Sequence, residues 1–372
     1  MTAAAAVPFF SASGAAFGVD LGACLQRVVD SGWYVLGPQV RDFEAAFARH
    51  VGVGHAVGVA NGTDALTLAL RALGVGPGQR VVTVANAGGY ASTAIRQLGA
   101  EPCYVEVERQ RLTLAPESLA ELLRSTPPAA VVVTHLYGQM ADIGPIAELC
   151  RQAGVPLVED CAQAHGARRD GRRAGAWGAI GCFSFYPTKN LGALGDGGAV
   201  ATDDARLAER LRALRQYGWG RKYEVTLPGG VNSRLDELQA AVLLAKLPRL
   251  DAANEERRAI ARRYATAFAE LPLVCPPPPD EDDVVHLYVV RTPRRAALQA
   301  HLSAQGIGCD VHYPVPDHRQ PAWAASAVPA LPITEAACAE VLSLPCYPGL
   351  TSAQAGQVID AVRGFFAHGD AC

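Results

Sequence analysis

The chain has 372 residues, half of them hydrophobic, and 33 Lys and Arg stand against 36 Asp and Glu for a formal net charge of −3. That balance argues against a protein that grips nucleic acid mainly through its phosphates, where clustered cations supply the affinity. No apolar run reaches the roughly 18 to 20 residues that span a bilayer, and the length suits one large α/β domain with a smaller companion.

The opening segment, MTAAAAVPFFSASGAAFG, is apolar and alanine-rich but lacks a basic start, so it reads as a flexible arm and not as a signal peptide. From Val40 to His50 the spacing of Val40, Phe43 and Phe47 predicts a helix. A strand at HAVGVA ends in NGTDAL, and ALTLALRALG follows as an apolar helix closed by Gly74. RVVTVANAGGY is a strand that breaks into a glycine turn, STAIRQLG a helix, EPCYVEVE a strand. The beat continues through SLAELLRS, AAVVVTHLYG, IGPIAELCRQAG and VPLVEDCAQAHGA. Strand, loop and helix at this regularity predict parallel βαβ units, and the unbroken apolar runs VVVTHL and VPLVED suit strands buried on both faces. RRDGRR, from Arg168 to Arg173, is the one candidate basic patch, and its glycine and aspartate make it a solvated turn.

The character changes near Asp236. DELQAAVLLAKLPRLDAANEERRAIARRYATAFAELP predicts one long helix or two joined at Pro248. The expected division is therefore residues 1–248 as a large domain with its N-terminal arm, and 249–372 as a small C-terminal domain. In that second part the run CPPPPDEDD leads to a strand VVHLYVVRT and a helix RRAALQAHLSAQGI. CDVHYPVPDH, TEAACAEVLSLPCYPGL and the closing helix SAQAGQVIDAVRGFFAH complete an α+β unit.

Ten cysteines are scattered without a CxxC pair, and their spacings match neither a zinc site nor a disulfide framework. Cys161 and His165 stand i,i+4, but two ligands do not make a zinc site. Buried thiols of this kind fit a reducing compartment, and the cytoplasm is the expected location.

Asp160 ends VPLVED at the carboxyl edge of a parallel sheet, where ligands of open α/β folds collect. A helix N-cap is the equally simple reading. Glu159 should point to the opposite face, because side chains alternate along a strand. Gly62 and Thr63 open a helix after a strand, and such amides either hold a phosphate or form an ordinary cap. Tyr90 closes another strand end and either stacks on a flat ring or packs inside. Ser184 and Lys189 lie in SFYPTKNLGALGDGGA. No GxGxxG follows a strand in context, and Asn190 stands after Lys189 where a Walker loop needs Ser or Thr. A lysine, an aspartate, ring support and a phosphate-gripping turn are the parts that a pyridoxal phosphate site asks for.

Six blocks in order, NGTDAL, THLYGQMADIGPI, EDCAQAHGA, SFYPTKNLGALGDGGA, NSRLDELQAA and VHYPVPDH, resemble the DegT/DnrJ/EryC1/StrS family of pyridoxal-phosphate-dependent nucleotide-sugar aminotransferases. The resemblance covers nearly the whole chain. It implies a fold type I α/β aminotransferase, with a mostly parallel, mixed sheet flanked by helices and a smaller C-terminal α+β domain. By the same resemblance, Lys189 binds the cofactor covalently and Asp160 pairs with the pyridine nitrogen. Gln163 corresponds to a residue near the ring hydroxyl, Tyr90 to one over the ring, and Gly62, Thr63 and Ser184 to the phosphate cup. Asn232 resembles a residue that reaches the phosphate from a neighbouring subunit, which implies a homodimer with composite active sites. Tyr217, His312, Tyr313 and His318 correspond to substrate-facing positions. His165 either bonds near the cofactor or orders its loop. No metal is expected.

The implied reaction moves an amino group from L-glutamate to a nucleotide-linked keto sugar. VTVANAGGY and SFYPTKNLGALGDGGA look most like the branch that acts on dTDP-3-keto-6-deoxyhexoses. Aminotransferases of 4-keto sugars or of an inosose use the same apparatus, and a cofactor-binding regulatory relative is the alternative from another class. Lys189, Asp160 and the phosphate residues are all retained, which favours the enzyme.

Overall fold

The computed structural model describes residues 6–125, 127–323 and 330–367. Seven strands build the central sheet: β1 (His55–Val59), β2 (Arg80–Thr83), β3 (Glu101–Tyr104), β4 (Ala130–Thr134), β5 (Leu157–Asp160), β6 (Ile180–Ser184) and β7 (Gly198–Thr202). Their order across the sheet is β1-β7-β6-β5-β4-β2-β3. All neighbours from β6 to β3 are parallel, whereas β7 runs against both β1 and β6. The regular βαβ beat expected from the sequence therefore breaks once. Parallel neighbours need a long crossover, usually helical; between β6 and β7 the chain instead doubles back through a loop that carries Lys189.

Alternation along the strands divides the interior into two layers. Val131 and Val133 of β4 join Phe43, Phe47 and Phe183 on one face, while Val132 joins Leu66, Leu70 and Val158 on the other. On the first face Phe47 meets Phe183 edge-on at 4.9 Å and Phe185 at 5.3 Å, so the helix Pro38–Val51 is packed directly beneath the start of the Lys189 loop. The second face is covered by the helix Gly62–Ala72, whose buried Leu66, Leu68 and Leu70 explain its near-continuous apolar sequence.

Pro248 lies in a 3-10 turn, Leu247–Arg249, between the helices Glu237–Lys246 and Leu250–Phe268. Leu243, Leu247 and Leu250 belong to the core of the large sheet. Further along, Ile260, Tyr264 and Phe268 enter a separate core with β8 (Tyr288–Arg291) and β9 (Val341–Leu344), an antiparallel pair. The helices Arg295–Ala304 and Ser352–Ala367 complete this smaller α+β unit.

The N-terminal arm differs from its expected form. Residues 1–5 lie outside the described residues, but Val7 is fully buried in the smaller core. Its amide donates to the Gly306 carbonyl at 2.9 Å, and its own carbonyl accepts from Gly308 at 2.8 Å. An apolar side chain and paired backbone groups thus dock the segment on the C-terminal unit. RRDGRR is a tight hairpin, as its composition indicates. No helix among the described residues is long and apolar enough to cross a membrane.

Candidate active site

The carboxyl ends of β1, β5 and β6 open onto one cleft of about 560 Å³. After β1, Asn61 caps the helix Gly62–Ala72 by accepting from the Asp64 amide at 2.8 Å. The amides of Gly62 and Thr63, in the first turn, have no intrahelical acceptor and carry the positive end of the helix dipole. Ser184, at the end of β6, packs so closely that a Cβ on Gly62 would lie 2.7 Å from the serine Cβ. Where β7 begins, a Cβ on Gly198 would lie 2.4 Å from the Asn61 carbonyl oxygen. These two glycines let three chain segments converge into a small cradle lined by amides and a hydroxyl.

Across the cleft, Asp160 is buried at the end of β5 and accepts from the Ala162 amide at 3.1 Å. Burial raises its carboxyl above the ordinary range, while the Ala162 amide and the charge of Lys189 pull it back. Glu159 points away, as strand alternation requires. Burial lowers the Lys189 ammonium to about 8, with Asp160 opposing the shift. A substantial neutral fraction of the amine therefore exists at mildly alkaline pH.

The Lys189 loop is bolted down by the next residue. Asn190, 1 % exposed, donates to Asn254 Oδ1 at 2.8 Å and to the Val284 carbonyl at 2.9 Å. Its own oxygen pairs with His286 Nδ1 at 2.9 Å, so that ring nitrogen is the donor. One asparagine thereby ties the lysine to the helix Leu250–Phe268 and to the segment before β8.

Of the residues singled out from the sequence, Gly62, Thr63, Tyr90, Asp160, Ser184, Lys189, His312 and Tyr313 line the cleft together. Gln163 stands behind this wall: it accepts from the Tyr137 amide at 2.6 Å and donates to the Tyr313 hydroxyl at 3.1 Å. The Tyr313 ring in turn meets Tyr90 edge-on at 5.9 Å. His318 does not face the cleft. The 3-10 turn Asp317–Arg319 rotates it inward, where it is 1 % exposed and pairs with Glu335 at 2.9 Å. Tyr217 and Asn232 also lie outside the chain's own cleft, Tyr217 at the surface against Trp219 at 5.0 Å and Asn232 exposed in a bridge to Gln216. His165 is buried against Phe183 and Phe185, and burial pushes its ring down to about 3, so it is neutral.

Tyr186, Thr188, Asp196, His286 and Asp310 line the same cleft and were not singled out. The first three lie within SFYPTKNLGALGDGGA and were open to notice there. His286 and Asp310 come from the smaller unit, and nothing in their local sequence marks them.

One cluster has metal-like spacing: single ligand atoms of His135, Glu159 and Cys161 lie within 4.8 Å of one another. It is closed by hydrogen bonds. Glu159 accepts from the amides of Gly175, Trp177 and Gly178 at 2.7 to 2.9 Å. It also accepts from His135 Nε2 at 3.0 Å, while His135 Nδ1 accepts from the Ala141 amide. Burial drives the Cys161 thiol well up. The knot braces β4 and β5 beneath the cleft.

A family model described as the DegT/DnrJ/EryC1/StrS aminotransferase family matches residues 19–363. The chain belongs to this family. It is 49% identical over 345 residues to dTDP-3-amino-3,4,6-trideoxy-alpha-D-glucose transaminase of Streptomyces venezuelae, covering 92% of this chain and 90% of that protein. The solved structure of S. venezuelae DesV superposes with a TM-score of 0.94 at 46% identity, over 98% of this chain and 100% of that one. NtdA of Bacillus subtilis, solved with its bound cofactor PMP, gives a TM-score of 0.90 at 29% identity, over 97% and 85% of the two chains. The DegT/DnrJ/EryC1/StrS aminotransferase described here thus has the fold type I architecture, and pyridoxal phosphate is its cofactor. Its own residues fit that group: a cradle that a single added Cβ would fill, a dry carboxylate and a lysine of lowered pKa share one cleft.

Proposed function

We propose that this aminotransferase moves the amino group of L-glutamate to a dTDP-linked 3-keto-6-deoxyhexose, giving the 3-amino sugar. The observation that carries the reading is the convergence of Lys189, Asp160 and the Gly62–Thr63–Ser184 cradle in one cleft. The likeness to the S. venezuelae transaminase supports the sugar class.

Bound pyridoxal phosphate supplies a carbonyl to receive amines and a ring that accepts electrons. The Gly62 and Thr63 amides and the Ser184 hydroxyl would hold its phosphate. Asp160, kept dry, would accept from the pyridine N–H and keep that nitrogen protonated. Lys189 would hold the cofactor's carbonyl carbon, and its neutral amine would take a proton from the donor's α-carbon. An amine titrating at about 8 is well placed for that exchange. Tyr90, His312 and Tyr313 form the wall that faces substrate, and Gln163 holds Tyr313 in place.

Asn232 and Tyr217 enter this scheme from a second copy of the chain, in a homodimer with composite sites. Trp33, Tyr34, Tyr217 and Tyr223 are exposed at 58, 49, 40 and 77 %, large aromatic side chains that a partner could cover. We keep the division into residues 1–248 and 249–372 as a reading: Leu250 still belongs to the larger core, and the changeover falls along the helix Leu250–Phe268, where Ile260 enters the smaller one. The cysteines of the described residues are all free, which suits a cytoplasmic location.

The test is to convert the cofactor-loaded protein to its amino form with L-glutamate, then add dTDP-3-keto-6-deoxyglucose or its 4-keto isomer. Return of the original cofactor absorbance with the 3-keto sugar alone supports the reading. Return with the 4-keto sugar alone moves the reaction to the neighbouring carbon. A spectrum that glutamate never shifts removes the donor assignment.

A further inference from the structure

Beside the Lys189 cleft lies a second lobe of about 270 Å³. The two share Tyr186, Thr188, His286, Asp310 and His312, so they adjoin along these side chains. At the wall of this lobe sits Arg257, from the helix Leu250–Phe268, only 4 % exposed. Its Nη1 donates to the carbonyls of Cys346 at 2.6 Å and His286 at 3.1 Å, with the Val285 carbonyl at 3.5 Å. A guanidinium carries five N–H groups, and those on Nε and Nη2 form no hydrogen bond among the described residues. Among the described residues no carboxylate forms an ion pair with it either. Glu256, the adjacent acid, turns outward to the Gly349 amide. A buried cation without a counter-ion is costly, and arginines in such places are normally paired.

We propose that this lobe receives a carboxylate of the amino donor, held by the free edge of Arg257. The assignment rests on the transaminase reading and deepens it. A planar guanidinium edge matches a carboxylate in two parallel hydrogen bonds, which a lysine at that place does not reproduce. The lobe is smaller than the roughly 300 to 1,000 Å³ sites that drug-sized ligands fill, so it suits an amino acid and not a nucleoside diphosphate. Phe9, Phe10 and Tyr347 supply the apolar part of its wall, against which an ion pair is less screened than in open water. Asp310, the acid at the junction of the two spaces, is exposed, so water screens its charge.

The competing role for Arg257 is a strut. By holding the His286 carbonyl it steadies the residue that pairs with Asn190 next to Lys189. A strut would matter equally in both halves of the reaction, whereas a donor site matters in one. Cofactor-loaded wild type, Arg257→Lys and Arg257→Gln are compared in three measurements: glutarate affinity by calorimetry, KM for L-glutamate in the donor half-reaction, and KM for the keto sugar in the acceptor half-reaction. Arg257→Gln is expected to weaken glutarate and raise the glutamate KM by about 10- to 100-fold, the scale of a lost charge-assisted pair. Arg257→Lys falls between, and the keto-sugar KM stays within about twofold. Unchanged glutarate affinity, or equal losses in both halves, overturns the proposal. Should the variants not fold, a wild-type crystal soaked with glutarate decides: a carboxylate on Nε and Nη2 supports the site, and glutarate elsewhere or absent refutes it. Glutarate binding is read without turnover, so an enzyme that ignores every keto sugar would sink the proposed function without touching this result.

Discussion

Lys189 and Asp160 carry opposite charges into one cleft, and each is shifted toward neutrality by burial. In the folded protein the lysine titrates at about 8, against 10.5 without the fold. Between those values the unfolded chain binds more protons, so native stability rises with pH across the window and is lost as pH falls through the folded pKa. Cofactor-free Lys189→Met is therefore expected to melt above the wild type below pH 8, with the gap closing toward pH 10.5. A gap that stays flat over that range would contradict the assigned cause. The same substitution is expected to abolish transamination, read as loss of the glutamate-driven spectral shift. Asp160→Asn keeps the shape but not the charge, and its turnover is expected to fall about 100-fold, the scale of one lost electrostatic partner, with cofactor still trapped on Lys189 by borohydride. Both residues were legible in the sequence because strand ends and a glycine-rich loop mark them. His318 was not. Its place in VHYPVPDH says nothing about which way a single 3-10 turn aims the ring.

Among the elements, the helix Pro38–Val51 shows how local signals run out. Gly37 at its N-cap makes no side-chain cap, and Glu237 supplies it from far along the chain, accepting from the amides of Gly37, Gln39 and Val40 at 2.8 to 2.9 Å. Glu237→Gln is expected to destabilise the protein by about 2 kcal/mol, because three amide donors, that of Val40 buried, lose a charged acceptor. Urea unfolding with a lower midpoint and an unchanged slope checks it. Gly198→Ala should cost about 1 to 3 kcal/mol by overpacking against the Asn61 backbone, and should distort the cradle of Gly62, Thr63 and Ser184 in parallel. Helix periods and buried strands were readable from their apolar spacing. The direction of β7 was not, since GAVAT buries all five residues and such a run reads the same in either direction.

For the whole molecule, the composite site makes a mixing prediction. If Asn232 serves the neighbouring subunit, a heterodimer of Lys189→Ala with Asn232→Asp contains one intact site. Mixing the two weakly active proteins under subunit exchange should restore about a quarter of wild-type activity, as random pairing into two-fold dimers requires. No gain over the separate proteins would place Asn232 outside the partner's site. Sequence alone determined the fold class, the family and the residues at the cleft's rim, because hydrophobic period, glycine-rich turns and motif order are properties of neighbouring residues. Only the tertiary structure decided the reversal of β7, the docking of Val7 on the smaller unit and the meeting of His286, Asp310 and Arg257 beside Lys189. Those depend on contacts between segments tens to hundreds of residues apart, and no local spacing encodes which distant surfaces will be brought together.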